Sequence, residues 1–152
     1  MTFDKELNES FAASQARAQI TETQAASLVS QSKRFWTNLI DEMHSKLSSI
    51  NSDSAMCKAA RGPLRYEPGD PGHVFYRSLA PAFSVTLANH GTNLTIDWRR
   101  QEGMESQLRL FKSDRFLFEL DGRGVLQIRS QNGQMFATES QVALHTIQPF
   151  WE

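Results

Sequence analysis

Residues 83–98, Phe-Ser-Val-Thr-Leu-Ala-Asn-His-Gly-Thr-Asn-Leu-Thr-Ile-Asp-Trp, decide the fold. Phe83, Val85 and Leu87 alternate with Ser84 and Thr86, and Leu94, Ile96 and Trp98 alternate with Thr95 and Asp97. A period of two sends the apolar side chains to one face of an extended chain and the polar ones to the other. Asn89-His90-Gly91 is turn chemistry, too short to do anything but fold the second run back antiparallel to the first.

The same grammar continues downstream. Leu108 and Leu110 alternate with Arg109, and Ser113-Asp114 reads as a turn into Phe116, Phe118 and Leu120. Asp121-Gly122-Arg123-Gly124 leads to Leu126 and Ile128, and Asn132-Gly133 signals a hairpin before Met135 and Phe136. A further strand is expected over His73–Arg77. Short loops between consecutive strands predict an antiparallel meander of five or six strands spanning 73–137. Its inward phase comprises Phe83, Val85, Leu87, Leu94, Ile96, Trp98, Leu108, Leu110, Phe116, Phe118, Leu120, Leu126 and Ile128.

Upstream the chain changes character, because all 8 glycines and all 5 prolines lie at or after Gly62. A breaker-free segment rich in Ala, Gln, Glu, Lys and Ser reads as helix. Its strongest part covers 25–52, where Val29, Trp36, Met43 and Ile50 recur every seven residues and Leu28, Phe35, Leu39, Ile40 and Leu47 broaden the stripe. Over 1–24 the pattern thins. Phe3, Leu7 and Phe11 step by four before alanines and glutamines take over, which suggests a separate helical arm. Gly62-Pro63 and Pro68-Gly69-Asp70-Pro71-Gly72 mark 53–72 as a linker. Thr138 and Gln141 have capping-box spacing, so a short helix is expected over 138–148, stopped by Pro149. The fold class is therefore α+β: one domain with a long N-terminal helix packed on the meander and a short C-terminal helix. That order is loosely similar to small secretion-chaperone and cystatin-like folds, a likeness that implies no function.

Composition excludes several functions. The chain has 152 residues, 39% hydrophobic and 22% charged, enough for one ordinary core. With 16 basic and 17 acidic residues the net charge is -1, so the whole molecule is not built to attract nucleic acid or anionic membrane. No run of 18 apolar residues offers a membrane span. Cys57 is the only cysteine, ruling out an internal disulfide or a cysteine zinc site. Asp4, Glu6 and Glu9 stand where a secretory leader would be basic and then apolar, which makes the cytoplasm the expected compartment.

Catalytic patterns are missing. His44, His73, His90 and His145 are scattered, and Asp41 with His44 makes at most two ligands. No serine occupies a G-x-S-x-G elbow, and Asp121-Gly122-Arg123-Gly124 lacks the lysine of a phosphate-cradling loop. No catalytic, cofactor or metal residue is assigned. Two surfaces remain. A helix longer than any strand can cover must overhang the sheet, so Phe3, Leu7, Phe11, Val29 and Trp36 form a candidate interaction surface. Arg99, Arg109, Arg115 and Arg129, with Phe111, fall in the phase opposite the main apolar set and form a candidate anion or single-stranded nucleic-acid face. Three functions follow in order. The first is a non-enzymatic interaction, adaptor or chaperone-like module acting as a homodimer or with a protein partner. The second is a binder or enzyme holding a small apolar ligand between helix and sheet. The third is a weak nucleic-acid binder, disfavoured by Asp97, Asp114, Glu119 and Asp121 on the same strands.

Overall fold

A computed structural model describes residues 2–69, 72–77, 79–103, 107–136 and 138–151, and of residues 2 and 3 the backbone alone. Helix α1 runs unbroken over Thr2–Ser52, with no interruption near residue 25. The stretch 53–72, expected as linker, instead holds helix α2 (Ser54–Ala59), capped by the Asp53 carboxylate on the Met56 amide, and an edge strand β1 (Arg65–Pro68). Strands β2 (His73–Arg77), β3 (Phe83–Asn89), β4 (Asn93–Gln101), β5 (Leu108–Leu120), β6 (Leu126–Ser130) and β7 (Met135–Phe136) follow. The seven pair in sequence order, each antiparallel to the next. Helix α3 (Glu139–Ile147) and a 3-10 turn (Gln148–Trp151) close the chain. The architecture is thus the expected α+β meander, with β1 taking the strand number beyond five or six. The capping box forms as its spacing predicts: the Thr138 hydroxyl accepts from the Gln141 amide, and the Gln141 side chain accepts from the Thr138 amide.

One sheet face is covered. Phe35, Leu39, Met43 and Ile50 of α1 and Val142, Ala143 and Ile147 of α3 pack on Phe75, Phe83, Val85, Leu87, Leu94, Ile96, Trp98, Phe116, Phe118 and Ile128. Two side-chain amides bracket the seated part of α1. Gln31 donates to the Gly124 carbonyl (2.8 Å) and accepts from the Leu126 amide (2.9 Å), while Asn51 donates to the Leu64 carbonyl (2.7 Å) and accepts from its amide (2.8 Å). Each satisfies a loop backbone that would otherwise meet the helix unpaired.

Strand β5 differs from expectation. Ser113-Asp114 does not turn; the strand continues through it, and the irregularity falls earlier, where the β4–β5 register shifts between Trp98 and Arg99. Trp98 faces Lys112 and Arg99 faces Leu110, so Phe111 is the extra residue of a β-bulge. An extra residue inverts the side-chain phase on one side of it. Leu108 and Leu110, expected inward, are therefore exposed, while Phe116 and Phe118 beyond the bulge are buried.

Arg77 is, among the described residues, the one buried ion of this core, 4% exposed. Its Nε donates to the Pro81 carbonyl (2.9 Å) and its Nη1 to the carbonyls of Ala60 and Phe150 (3.0 Å each), with the Phe83 and Phe150 rings alongside. Burial, reinforced by the charge of Arg61, lowers its pKa from the ordinary arginine value. One guanidinium thus ties the end of α2, the β2–β3 connection and the terminal 3-10 turn. Replacing it by methionine keeps the stem but strands three carbonyls. Arg77→Met should cost on the order of 3 kcal/mol in urea unfolding, with Arg77→Lys losing less because an ammonium still reaches some of the same oxygens.

Candidate interaction surfaces

Every side chain from Asp4 to Ala26 is exposed. Leu7 and Phe11 are 59% and 64% exposed, and Ile20 and Val29 are also open to solvent. The first residue of α1 packed against the core is Leu28, and every described side chain before Ser27 is exposed. Of the five positions expected to form an interaction surface, Leu7 and Phe11 lie on this free part, and Val29 is exposed just past it, beside the seated Leu28. The side chain of Phe3 falls outside the described residues. Trp36 lies on the seated part instead, half-buried against the core with its ring 5.6 Å from that of His73.

The arginine set divides. Residues paired across antiparallel strands share a face. Arg99 opposite Ser84, Arg115 opposite Thr95, and Arg129 opposite Leu117 lie on the face that no helix covers. Arg109, opposite Arg100, belongs to the other face, as does Phe111, which packs edge-on against Phe83 at 5.6 Å beneath the Arg100 guanidinium. The β-bulge is the cause, and it removes the one aromatic ring proposed for base stacking from the arginine face. Arg129 is further engaged by an ion pair with Glu119.

The uncovered face contains a hollow of about 490 Å³, lined by Gly69, Gly72, Val74, Thr86, Ala88, His90, Thr95, Asp97, Arg99, Ser113 and Arg115. Its existence follows from the small outward residues of β3. Ser84 and Ala88, both short, are 6% and 4% exposed on this face. Asp97 accepts from the Ser113 hydroxyl (2.6 Å), and His90 Nε2 lies 2.9 Å from the Thr95 hydroxyl. Sequence reasoning marked Arg99 and Arg115 but missed the hollow, whose signal was Ser84-x-Thr86-x-Ala88 in the outward phase of a central strand.

On the covered side, the interface of α1 with the edge strands is aromatic and imidazole-rich. His44 meets the Tyr66 ring at 4.3 Å, and the Tyr66 hydroxyl lies 2.5 Å from His73 Nδ1. On the opposite flank His145 Nε2 lies 3.1 Å from an Asp114 oxygen, within a cage of Trp98, Phe116 and Phe136 rings. No nucleophile joins either group in the contacts described. Among the described residues no three His, Cys, Asp or Glu side chains gather to hold a metal ion, and no helix is long and apolar enough to cross a membrane. Compared with protein-family models, curated proteins and solved structures, the chain matches none of them.

His73 supplies a pH test of the α1 seating. Burial, and then the charge of His44, lower its pKa from the ordinary 6.5. A histidine depressed in the fold binds its proton more readily when unfolded. Its contribution is complete above 6.5 and is lost as pH falls from there through the folded-state value. The urea midpoint should therefore drop between about pH 7.5 and about pH 5.5, and the drop should be smaller in His73→Asn. An equal drop in both proteins would assign the titration elsewhere.

Proposed function

We propose that the protein is a non-enzymatic interaction module that joins to a second copy of itself through the free part of α1. The observation that carries this reading is the exposure of every side chain from Asp4 to Ala26 on a helix whose apolar seam does not stop where the sheet stops. Leu7, Phe11, Ser14, Ala18, Thr21, Ala25 and Leu28 are spaced four and three residues apart in alternation, and the same spacing runs on through Ser32 to Phe35 and Leu39, which are buried on the sheet. The free seam is thus an extension of the stripe that already packs. Ser14, Ala18 and Ala25 within it let a second helix approach closely, while Leu7 and Phe11 provide apolar anchors at its tip.

Energetics favour a covered helix. A projecting segment gains nothing from tertiary burial, and helix propensity alone leaves a stretch of mixed composition marginal in water. Three threonines at 2, 21 and 23, with Asn8, Ser10 and Ser14, lower that propensity further. Pairing with a copy supplies the missing burial at a single stroke for both chains, by the two-fold logic common to homodimers.

Light scattering coupled to size exclusion tests the reading. The full chain should run at twice its 17.2 kDa mass, and the double substitution Leu7→Glu/Phe11→Glu at once its mass, with the urea transition of the sheet little changed. A full chain that stays monomeric at about 100 µM would overturn self-pairing.

A further inference from the structure

We propose that the hollow on the uncovered sheet face binds a small amino dicarboxylate, an acidic α-amino acid such as aspartate or glutamate. The inference is independent of the pairing of α1, which lies across the opposite face. It begins from the outward row of β4 and β5. Arg99 and Asp97 are neighbours on the same face of β4. Arg115, on β5, stands opposite Thr95, the next outward residue of β4. Along the hollow the charges therefore read positive, negative, positive.

Such a row would ordinarily neutralise itself, and here it does not. Among the described residues, no ion pair within 4 Å joins Asp97 to Arg99 or to Arg115. The carboxylate is turned to the Ser113 hydroxyl (2.6 Å) instead. Arg100 and Arg129, by contrast, each have a glutamate partner. Arg99 is half-buried at the wall, and the floor between it and Arg115 is kept low by Thr86 and Ala88. A concave site with few, convergent polar groups is the usual form of a small-molecule site.

The charge order selects the ligand. A simple anion between the guanidiniums would lie over the Asp97 carboxylate and be repelled by it, and a cation on Asp97 would be repelled by the arginines. A molecule reading negative, positive, negative satisfies all three. In aspartate and glutamate the ammonium stands on the α-carbon, within the chain that separates the two carboxylates. Each carboxylate can take a guanidinium, Arg99 at one end and Arg115 at the other, through the paired N–H donors that fit its two oxygens. The ammonium then meets Asp97, held in place by Ser113. Single-stranded nucleic acid fits the hollow less well, since Asp97 opposes phosphate and Phe111 stands on the other face.

Amide chemical-shift titration of the full chain tests the site. Aspartate or glutamate should produce saturable shifts concentrated on Thr86, Thr95, Asp97 and Ser113. Succinate, which lacks the ammonium, should bind at least about tenfold more weakly, and glutamine, which lacks one carboxylate, likewise. Arg99→Gln and Arg115→Gln should each weaken aspartate or glutamate about tenfold or more, whereas Arg123→Gln, in the β5–β6 turn, should not. Asp97→Asn should abolish the preference over succinate. The proposal is overturned if neither amino acid shifts these amides at tens of millimolar. It is equally overturned if succinate binds as well as aspartate and glutamate, or if binding survives Arg99→Gln/Arg115→Gln.

Discussion

The indole of Trp98 stands at the middle of the covered sheet face and donates to the Thr146 carbonyl of α3 at 2.9 Å. It is wholly buried, so the hydrogen bond is one the core cannot leave unmade. Immediately after it the register of β4 against β5 slips by one residue. The order of these two features matters. Up to Trp98 the two strands agree on which face is inside, and α3 is seated on that agreement. Past it β5 inverts, Phe111 turns to Phe83, and Leu108 and Leu110 turn to solvent. The side-chain composition of both faces at the start of β5 follows from this one slip.

Much of the fold was legible because it rests on periodicity. The alternation in 83–98 gives two central strands, the seven-residue recurrence from Val29 to Ile50 gives the seated helix, and Thr138 with Gln141 gives a cap. What was not legible depends on partners distant in sequence. Ser113-Asp114 looks like a turn locally, yet Ser113 is held by Asp97 and Asp114 by His145, and both keep the strand extended. Arg65–Pro68 has no strong strand pattern of its own and is recruited by the edge of β2. The same holds for the surface residues. Arg99 and Arg115 could be placed together from their phase, but Arg109 could not be separated from them without the bulge.

Arg77, buried, and Gln31, half-buried, show how single polar side chains serve backbone groups at the margin of the core. Each is a long polar side chain that binds backbone groups in loops or at a strand end: three carbonyls for Arg77, one carbonyl and one amide for Gln31. Both sit at edges of the core, where the meander gives way to loops. Neither belongs to a motif, since any of several spacings would bring a guanidinium or an amide to those positions.

The free part of α1 has a mechanical consequence. At 1.5 Å per residue, Asp4–Ala26 extends on the order of 35 Å beyond the seated helix. Gln31 anchors it at the root, with no glycine or proline to act as a hinge along its length. Covered by a second copy as proposed, the tip would stand at a set distance from the sheet, and a torque applied there would pass to the core along the helix. The length of that arm is set by residue count alone.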